Sequence, residues 1–516
     1  MSLLIESASH TPPEDRQARL SGVGCGYIRH GEISLRDAYC TYLNVTLSVT
    51  RIFYHTFTRL SRVNFLDLIC AMQTIDLNVA FWYNVSKAQK SWRLNMTDQI
   101  YEVYLRTLRE ELVPAMGCTE PIAIAYAAAR CRETLGAMPE SIIIRASANI
   151  IKNVKSVVVP NTGGKRGIAA AAAAGIVAGR ADKELQVLSC VSETDFPEID
   201  RLMSEIPCEI SQSEKPYIFH IQIILTANGH TAEIEIAGQH TNVIYLALDG
   251  IATIQNPYEE TVAEPADRYL LTVEGIIEFA DTVKLEDVRH IISRQIEYNT
   301  AIAREGLNGK WGAQVGKTIL RAYGDDVHNK AKAYAAAGSD ARMNGCELPV
   351  VINSGSGNQG MTASLPVIVY AEEISATEEQ LYRALVVSNL VTIHMKTDIG
   401  RLSAYCGATS AGCGAGAGIC YLHGGKKYEI SHTIVNAVAI NSGMICDGAK
   451  ASCAAKIASA VEAGLLGWQM QQQGTQFYGG EGIVTKGVEN TIRNVGRVAR
   501  LGMAETDREI IKIMMG

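Results

Sequence analysis

Positive charge is the first thing this 516-residue sequence is short of: 47 Lys and Arg stand against 54 Asp and Glu, a formal net charge of −7. Nothing global therefore draws it to nucleic acid or to anionic lipid. Long apolar runs are missing too. The uncharged stretch Gly167 to Gly179 is mostly alanine and falls well short of the ~20 residues a bilayer requires. Leu66 to Val85 is more hydrophobic, but Asp67 and Asp76 interrupt it. Glu6, Glu14 and Asp15 arrive before any sustained apolar core, so no signal peptide is expected. Aromatics make up only 6% while glycine reaches 45 residues, which implies close backbone packing and tight loops. The thirteen cysteines are odd in number, spread along a long chain, and never spaced C-x₂-C. Neither a disulfide framework nor a structural zinc site is expected, and free thiols fit a reduced, cytoplasmic protein.

The composition changes near Met96. Residues 1–95 hold 10 Lys and Arg against 7 Asp and Glu, 11 of the 33 aromatics and only 4 of the 45 glycines. They show no sustained period, and read either as an accessory domain or as sequence upstream of a true start at Met96. The expected division is then an atypical extension over 1–95, a strand-containing region over 96–266 and a mainly helical region over 267–516.

From Met96 the pattern is clear, and predicts an α+β fold with a mainly helical C-terminal half and a smaller β-containing region at about 141–240. Thr97 can cap a helix over 97–112 in which Ile100, Val103, Tyr104 and Leu108 share one face. After a loop at Pro114–Thr119, an alanine-rich helix runs from about 120 to 135. Ser141–Pro160 is β-branched and reads as a strand pair, Ile142–Ala148 and Ser156–Val159. The loop Pro160–Gly167 leads to a helix of small residues, Ile168–Ala178. Tyr217–Thr226 and Thr231–Ile236 flank Asn228-Gly229 and predict a β-hairpin. Beyond about 268 the pattern is helical, broken by the loop Asn353–Gly360. The segment 407–420 is so rich in small residues that its helix must be buried tightly.

Four groups of residues could do chemistry. Cys118 lies in Pro114-Ala-Met-Gly-Cys-Thr-Glu-Pro121, where Thr119 can cap and Pro121 fits a first helical turn. A helix N-terminus favours a thiolate; the competing reading is a small buried hydrophobe. Cysteines 406, 413 and 420 repeat every seven residues, which on a straight helix separates them by about 10.5 Å per step. At most one of them can serve a compact centre. Cys446 and Cys453 share that spacing, but Asp447-Gly448 can break the helix and fold the two sulfurs together. One cysteine near 406 plus this pair would make an iron–sulfur site with an open iron, unless all of them simply fill the core. Asn353-Ser-Gly-Ser-Gly-Asn-Gln-Gly360 offers backbone N–H groups to a phosphate or carboxylate, although it matches neither the P-loop nor the dinucleotide fingerprint. The loop at 160–167, with Lys165 and Arg166 beside glycines, is a weaker candidate of the same kind. His394 and His423 read as hydrogen-bonded or surface residues.

Taken with Gly400-Arg-Leu-Ser-Ala-Tyr-Cys-Gly407 and Met444-Ile-Cys-Asp-Gly-Ala-Lys-Ala-Ser-Cys453, the first and third of these motifs resemble the L-cysteine desulfidase family, which is related to the α chain of iron–sulfur L-serine dehydratases. The resemblance covers about Met96 to Met515. It implies that Cys118 acts as a base and that Cys406, Cys446 and Cys453 hold a 4Fe–4S cluster with one open iron, without pyridoxal phosphate. Cys413 and Cys420 lie outside the matching motifs and are left to packing. The substrate carboxylate is expected on Ser354, Gly355, Ser356, Gly357 and Asn358, assisted by Lys165 or Arg166. The implied function is α,β-elimination of a small amino acid, L-cysteine to pyruvate, ammonia and sulfide. The alternatives are a serine dehydratase-like deaminase or a non-catalytic iron–sulfur sensor. The expected partner is the amino-acid substrate, with no nucleic acid and no membrane; a homodimer is admitted.

Overall fold

The computed structural model describes residues 97–259, 266–400 and 402–515, so both readings of 1–95 lie outside the described residues. Among the described residues no helix is long and apolar enough to cross a membrane. The first helix, Asp98–Glu111, is capped as its sequence predicts, with Thr97 Oγ accepting from the Ile100 N–H at 3.3 Å. Its Val103, Tyr104 and Leu108 face the core.

A six-stranded sheet follows in the order β3-β2-β4-β5-β6-β7, with β2 (Ser141–Ala146), β3 (Cys208–Gln212), β4 (His220–Ala227), β5 (His230–Ala237), β6 (Val243–Leu248) and β7 (Ile251–Gln255). Only the β2–β3 pairing is parallel. Strict alternation fixes the register: Ile144 pairs with Ile223, Ile223 with Ile234 and Ile234 with Leu246, forming one apolar row across four strands. That face is covered by helix Thr119–Leu135, with helix Gly167–Ala178 packed behind it. The two helices touch so closely that a Cβ on Gly175 would lie 2.2 Å from the Ala125 carbonyl oxygen. The expected hairpin forms, with Asn228 and Gly229 both left-handed as its tight turn requires. The sheet extends to Gln255, beyond the predicted limit of about 240.

The predicted second strand of 141–160 does not form. Residues Ala148–Val154 are a short helix that buries Ile150 and Val154, and Ser156–Val159 contributes only one isolated bridge, Val158 to Arg166. Tertiary burial overrides the β-branched preference here.

The C-terminal half is helical, built around Leu285–Asn308, Val327–Met343, Gly357–Glu373, Glu378–Ile399, Gly407–Leu422 and Cys453–Gln472. Helix Gly407–Leu422 runs through the middle, and its glycines explain how. Gly412 and Gly416 meet helix Cys453–Gln472, while Gly414 and Gly418 meet helix Glu378–Ile399, each against backbone oxygen. Any side chain at these positions would hold the helices apart. Cys413 and Cys420 are 1% exposed on this helix, consistent with packing.

Candidate active site

The short strand β1 (Pro114–Met116) pairs antiparallel with β8 (Pro349–Val351), which lays the residues after each strand side by side. Gly117 is left-handed (φ 62°), and Cys118 itself caps helix Thr119–Leu135, one residue earlier than expected. Thr119 Oγ donates to the Gly355 carbonyl at 2.9 Å, tying the Cys118 segment to the glycine-rich loop. In that loop Ser354 (φ 50°) and Gly355 (φ 78°) are consecutive left-handed residues, and Gly357 already opens the helix Gly357–Glu373. Half of the predicted loop is therefore a helix N-terminus with free N–H groups.

The other wall comes from two cysteine segments. Tyr405 and Ile445 form a bridge, with the Cys406 N–H donating to Met444 and the Cys446 N–H to Ala404. This brings the Cys406 and Cys446 thiols close enough to interact at one cavity. Their proximity raises the Cys406 thiol and lowers Cys446 to about 6, helped by the Gly448 N–H and by Lys152 and Lys456. After the left-handed Gly448 (φ 91°) the chain turns into helix Cys453–Gln472, whose first residue is Cys453. Cys453 packs with Ala449 against Cys118, Val157 and Met343.

All four cysteines consequently line one cavity of about 110 Å³, together with Ser354, Gly355, Ser356 and Asn358. Its basic residues are Lys152, Arg342, Lys396 and Lys456. A larger cavity of about 600 Å³ shares His240 and Gly355 with it.

Two expectations need correction. Lys165 and Arg166 are not at this cavity. Lys165 pairs with Asp200 at 3.1 Å over the Phe196 ring, and Arg166 donates to the Ser156 carbonyl at 2.6 Å. Cys118 does not rest as a thiolate: burial pushes its thiol well above the ordinary value, Glu120 raises it further, and Arg342 only partly opposes this. It is instead a donor to Glu120 Oε2 at 3.3 Å. Glu120 Oε1 in turn accepts from Asn153 Nδ2 at 2.9 Å. Glu120 lies inside the Cys118 motif and was within reach of sequence reasoning; Arg342, Lys152 and Lys396 carry no local signature. His394 bonds Glu489 and His423 bonds the Ile419 carbonyl, as hydrogen-bonded residues do.

Among the described residues no three His, Cys, Asp or Glu side chains stand as a grip for a single metal ion. The donor set does suit an iron–sulfur cluster, which spreads its thiolates more widely than one ion. Three thiols converge, Cys446 is already biased toward thiolate, and Lys152 and Lys456 offset negative charge.

The family model for the serine dehydratase alpha chain matches residues 182–512. The chain is 58% identical over 419 residues to a UPF0597 protein of Desulfitobacterium hafniense, covering 81% of this chain and 97% of that protein. It is 49% identical over 416 residues to one from Lachnoclostridium phytofermentans (81% and 100% covered), and 46% identical over 422 residues to one from Treponema denticola (80% and 98% covered). The chain belongs to the serine dehydratase alpha-chain family.

Proposed function

We propose that this protein is a lyase that eliminates the β-substituent of a small amino acid, with L-cysteine as substrate and pyruvate, ammonia and sulfide as products. The observation that carries this reading is the meeting of Cys118 with Cys406, Cys446 and Cys453 in one cavity, although Cys118 lies 288 to 335 residues from the others. Cys406, Cys446 and Cys453 would hold a 4Fe–4S cluster, which when bound would supply a Lewis acid for the β-substituent in place of pyridoxal phosphate.

The remaining steps belong to the chain. The substrate carboxylate lies against the helix N-terminus at Ser354–Asn358, where free N–H groups favour an anion. Cys118 passes its proton to Glu120 along their 3.3 Å hydrogen bond and then takes the α-proton as thiolate. The Cα–H electron pair forms the Cα–Cβ double bond as hydrosulfide leaves. The resulting aminoacrylate tautomerises to an imine, and water releases pyruvate and ammonia. Burial keeps Cys118 protonated in the free protein, and the Arg342 charge is the neighbour that favours its thiolate.

The family match favours one second reading, elimination of water from L-serine by the same groups. The test is pyruvate release by anaerobically purified protein from L- and D-cysteine and L- and D-serine. The Cys118→Ala variant is expected to keep its iron and lose about 10²–10⁴-fold in turnover. Iron-loaded protein that is inert toward all four substrates would favour a sensor, and a fully active Cys118→Ala would remove the base.

A further inference from the structure

The cavity wall carries buried polar atoms that the chain leaves unsatisfied. Arg342 is 2% exposed; one guanidinium nitrogen donates to Asn358 Oδ1 at 3.1 Å, while its Nε has no partner. Gln359 and Asn153, 6% and 7% exposed, leave Oε1 and Oδ1 without a donor. The Asn153 amide has a fixed sense. Its Nδ2 donates to the Glu120 carboxylate, which only accepts, so the oxygen is the free end. An unmade hydrogen bond on a buried group is costly, so several around one cavity mark a place where something else arrives.

Space for these groups has been cleared. A Cβ on Gly357 would lie 2.4 Å from Arg342 Nε, and one on Gly407 would lie 2.5–2.7 Å from all three atoms of the Gln359 amide. The cavity, at about 110 Å³, is far smaller than the ~300–1,000 Å³ typical of sites for drug-sized molecules. The free atoms include one cationic donor and two neutral acceptors, beside the Tyr405 hydroxyl, which can act as either. A small molecule that satisfies both kinds has an anionic oxygen group and an N–H-rich group close together.

The geometry points to a head-group clamp for a zwitterionic α-amino acid, in which Arg342 receives the α-carboxylate and the free oxygens of Gln359 and Asn153 receive the α-ammonium. The clamp rests on reading the cavity as the substrate site, and adds that both charged groups are required. Simple thiols, amines and N-acylated amino acids are therefore poor ligands. It also gives Gly357 its role, since only a residue without a side chain leaves the guanidinium in place.

The test uses ligands that cannot undergo elimination, so that binding is read whether or not the protein turns over. L-Alanine, propionate and ethylamine are titrated into anaerobically purified full-length protein by calorimetry. L-Alanine is expected to bind at least about tenfold more tightly than either truncated ligand, as loss of a charge-assisted hydrogen bond predicts. Arg342→Gln is expected to erase the difference between L-alanine and ethylamine. Gln359→Leu is expected to narrow the difference between L-alanine and propionate. Both variants are expected to keep the iron content and visible spectrum of the wild type. Wild-type protein that binds propionate or ethylamine as tightly as L-alanine, or binds none of them, overturns the clamp even if the variants do not fold. Amino-acid binding that depends on Arg342 without pyruvate release from any substrate would instead sink the elimination reading and leave the clamp standing.

Discussion

The paired glycines between helices Gly407–Leu422 and Cys453–Gln472 allow a demanding test, because each helix carries a proposed cluster ligand at its start. Cys406 caps the first helix and Cys453 opens the second. In Gly464→Ala the new methyl would lie 2.2 Å from the Gly412 carbonyl oxygen, against 3.4 Å for ordinary contact. The obstacle is backbone inside a buried helix, so no side chain can rotate away, and the helices must separate by about 1.2 Å. Two effects compete. Alanine gains about 1 kcal/mol over glycine in a helix interior, whereas overpacking a dense core costs about 1–3 kcal/mol. Contact with rigid backbone places this case at the upper end, for a net loss of about 2 kcal/mol. The same displacement exceeds the ~0.2 Å tolerance of metal–ligand distances several-fold. Iron content after anaerobic reconstitution is therefore expected to fall along with the urea midpoint. Gly502→Ala is the control: its nearest neighbour would be Val498 Cγ1 at 3.9 Å, and a change within about 0.5 kcal/mol is expected. A Gly464→Ala protein with the wild-type midpoint and full iron would refute the claim that these glycines set the spacing of the two cysteine segments.

What the sequence made legible were the local features. Capping at Thr97, the Asn228-Gly229 turn and the alternation of Ile142, Ile144, Ile221 and Ile223 each depend on near neighbours, and each holds in the structure. The tight burial of 407–420 was equally readable, because nothing but close approach explains five glycines in a helix. Ser156–Val159 does not become a strand because a short helix, Ala148–Val154, precedes it and leaves it a single bridge to Arg166, a matter of tertiary packing that β-branched composition does not show. At the site the same division appears. The cysteine motifs could be read one at a time, since each is a continuous segment. The cations could not. Lys165 and Arg166 sit beside glycines and look like an anion loop, yet Asp200 and the Ser156 carbonyl engage them. Arg342 stands near the end of helix Val327–Met343 and reaches Cys118 only through tertiary folding. Between the two readings of Cys118, thiolate or small buried hydrophobe, burial decides in the same way. A helix N-terminus is visible in sequence, but its burial beside Glu120, which outweighs the dipole, is not.

Two further predictions concern the cysteines and one buried carboxyl. Cys406→Ser, Cys446→Ser and Cys453→Ser are each expected to lose most of the iron, while Cys413→Ser and Cys420→Ser retain it; iron assay and visible absorbance decide, and loss confined to Cys413→Ser would reverse the assignment. Asp340 is fully buried, with Oδ2 accepting from the Gly316 N–H at 3.1 Å and Oδ1 unpartnered, and burial pushes its carboxyl up to about 6. An aspartate in the unfolded chain titrates near 3.9, so on raising the pH the unfolded state releases this proton first. The folded state therefore loses stability between about pH 4 and pH 6, and above pH 6 the loss is complete, on the order of 3 kcal/mol. Asp340→Asn keeps an oxygen for the Gly316 N–H and carries no charge. Its urea midpoint is expected to exceed the wild-type value at pH 7.5, and its advantage to shrink by about 1 kcal/mol at pH 5, where the wild-type carboxyl is mostly protonated. An advantage that stays constant across this range would show that the buried charge is not what Asp340 costs the fold.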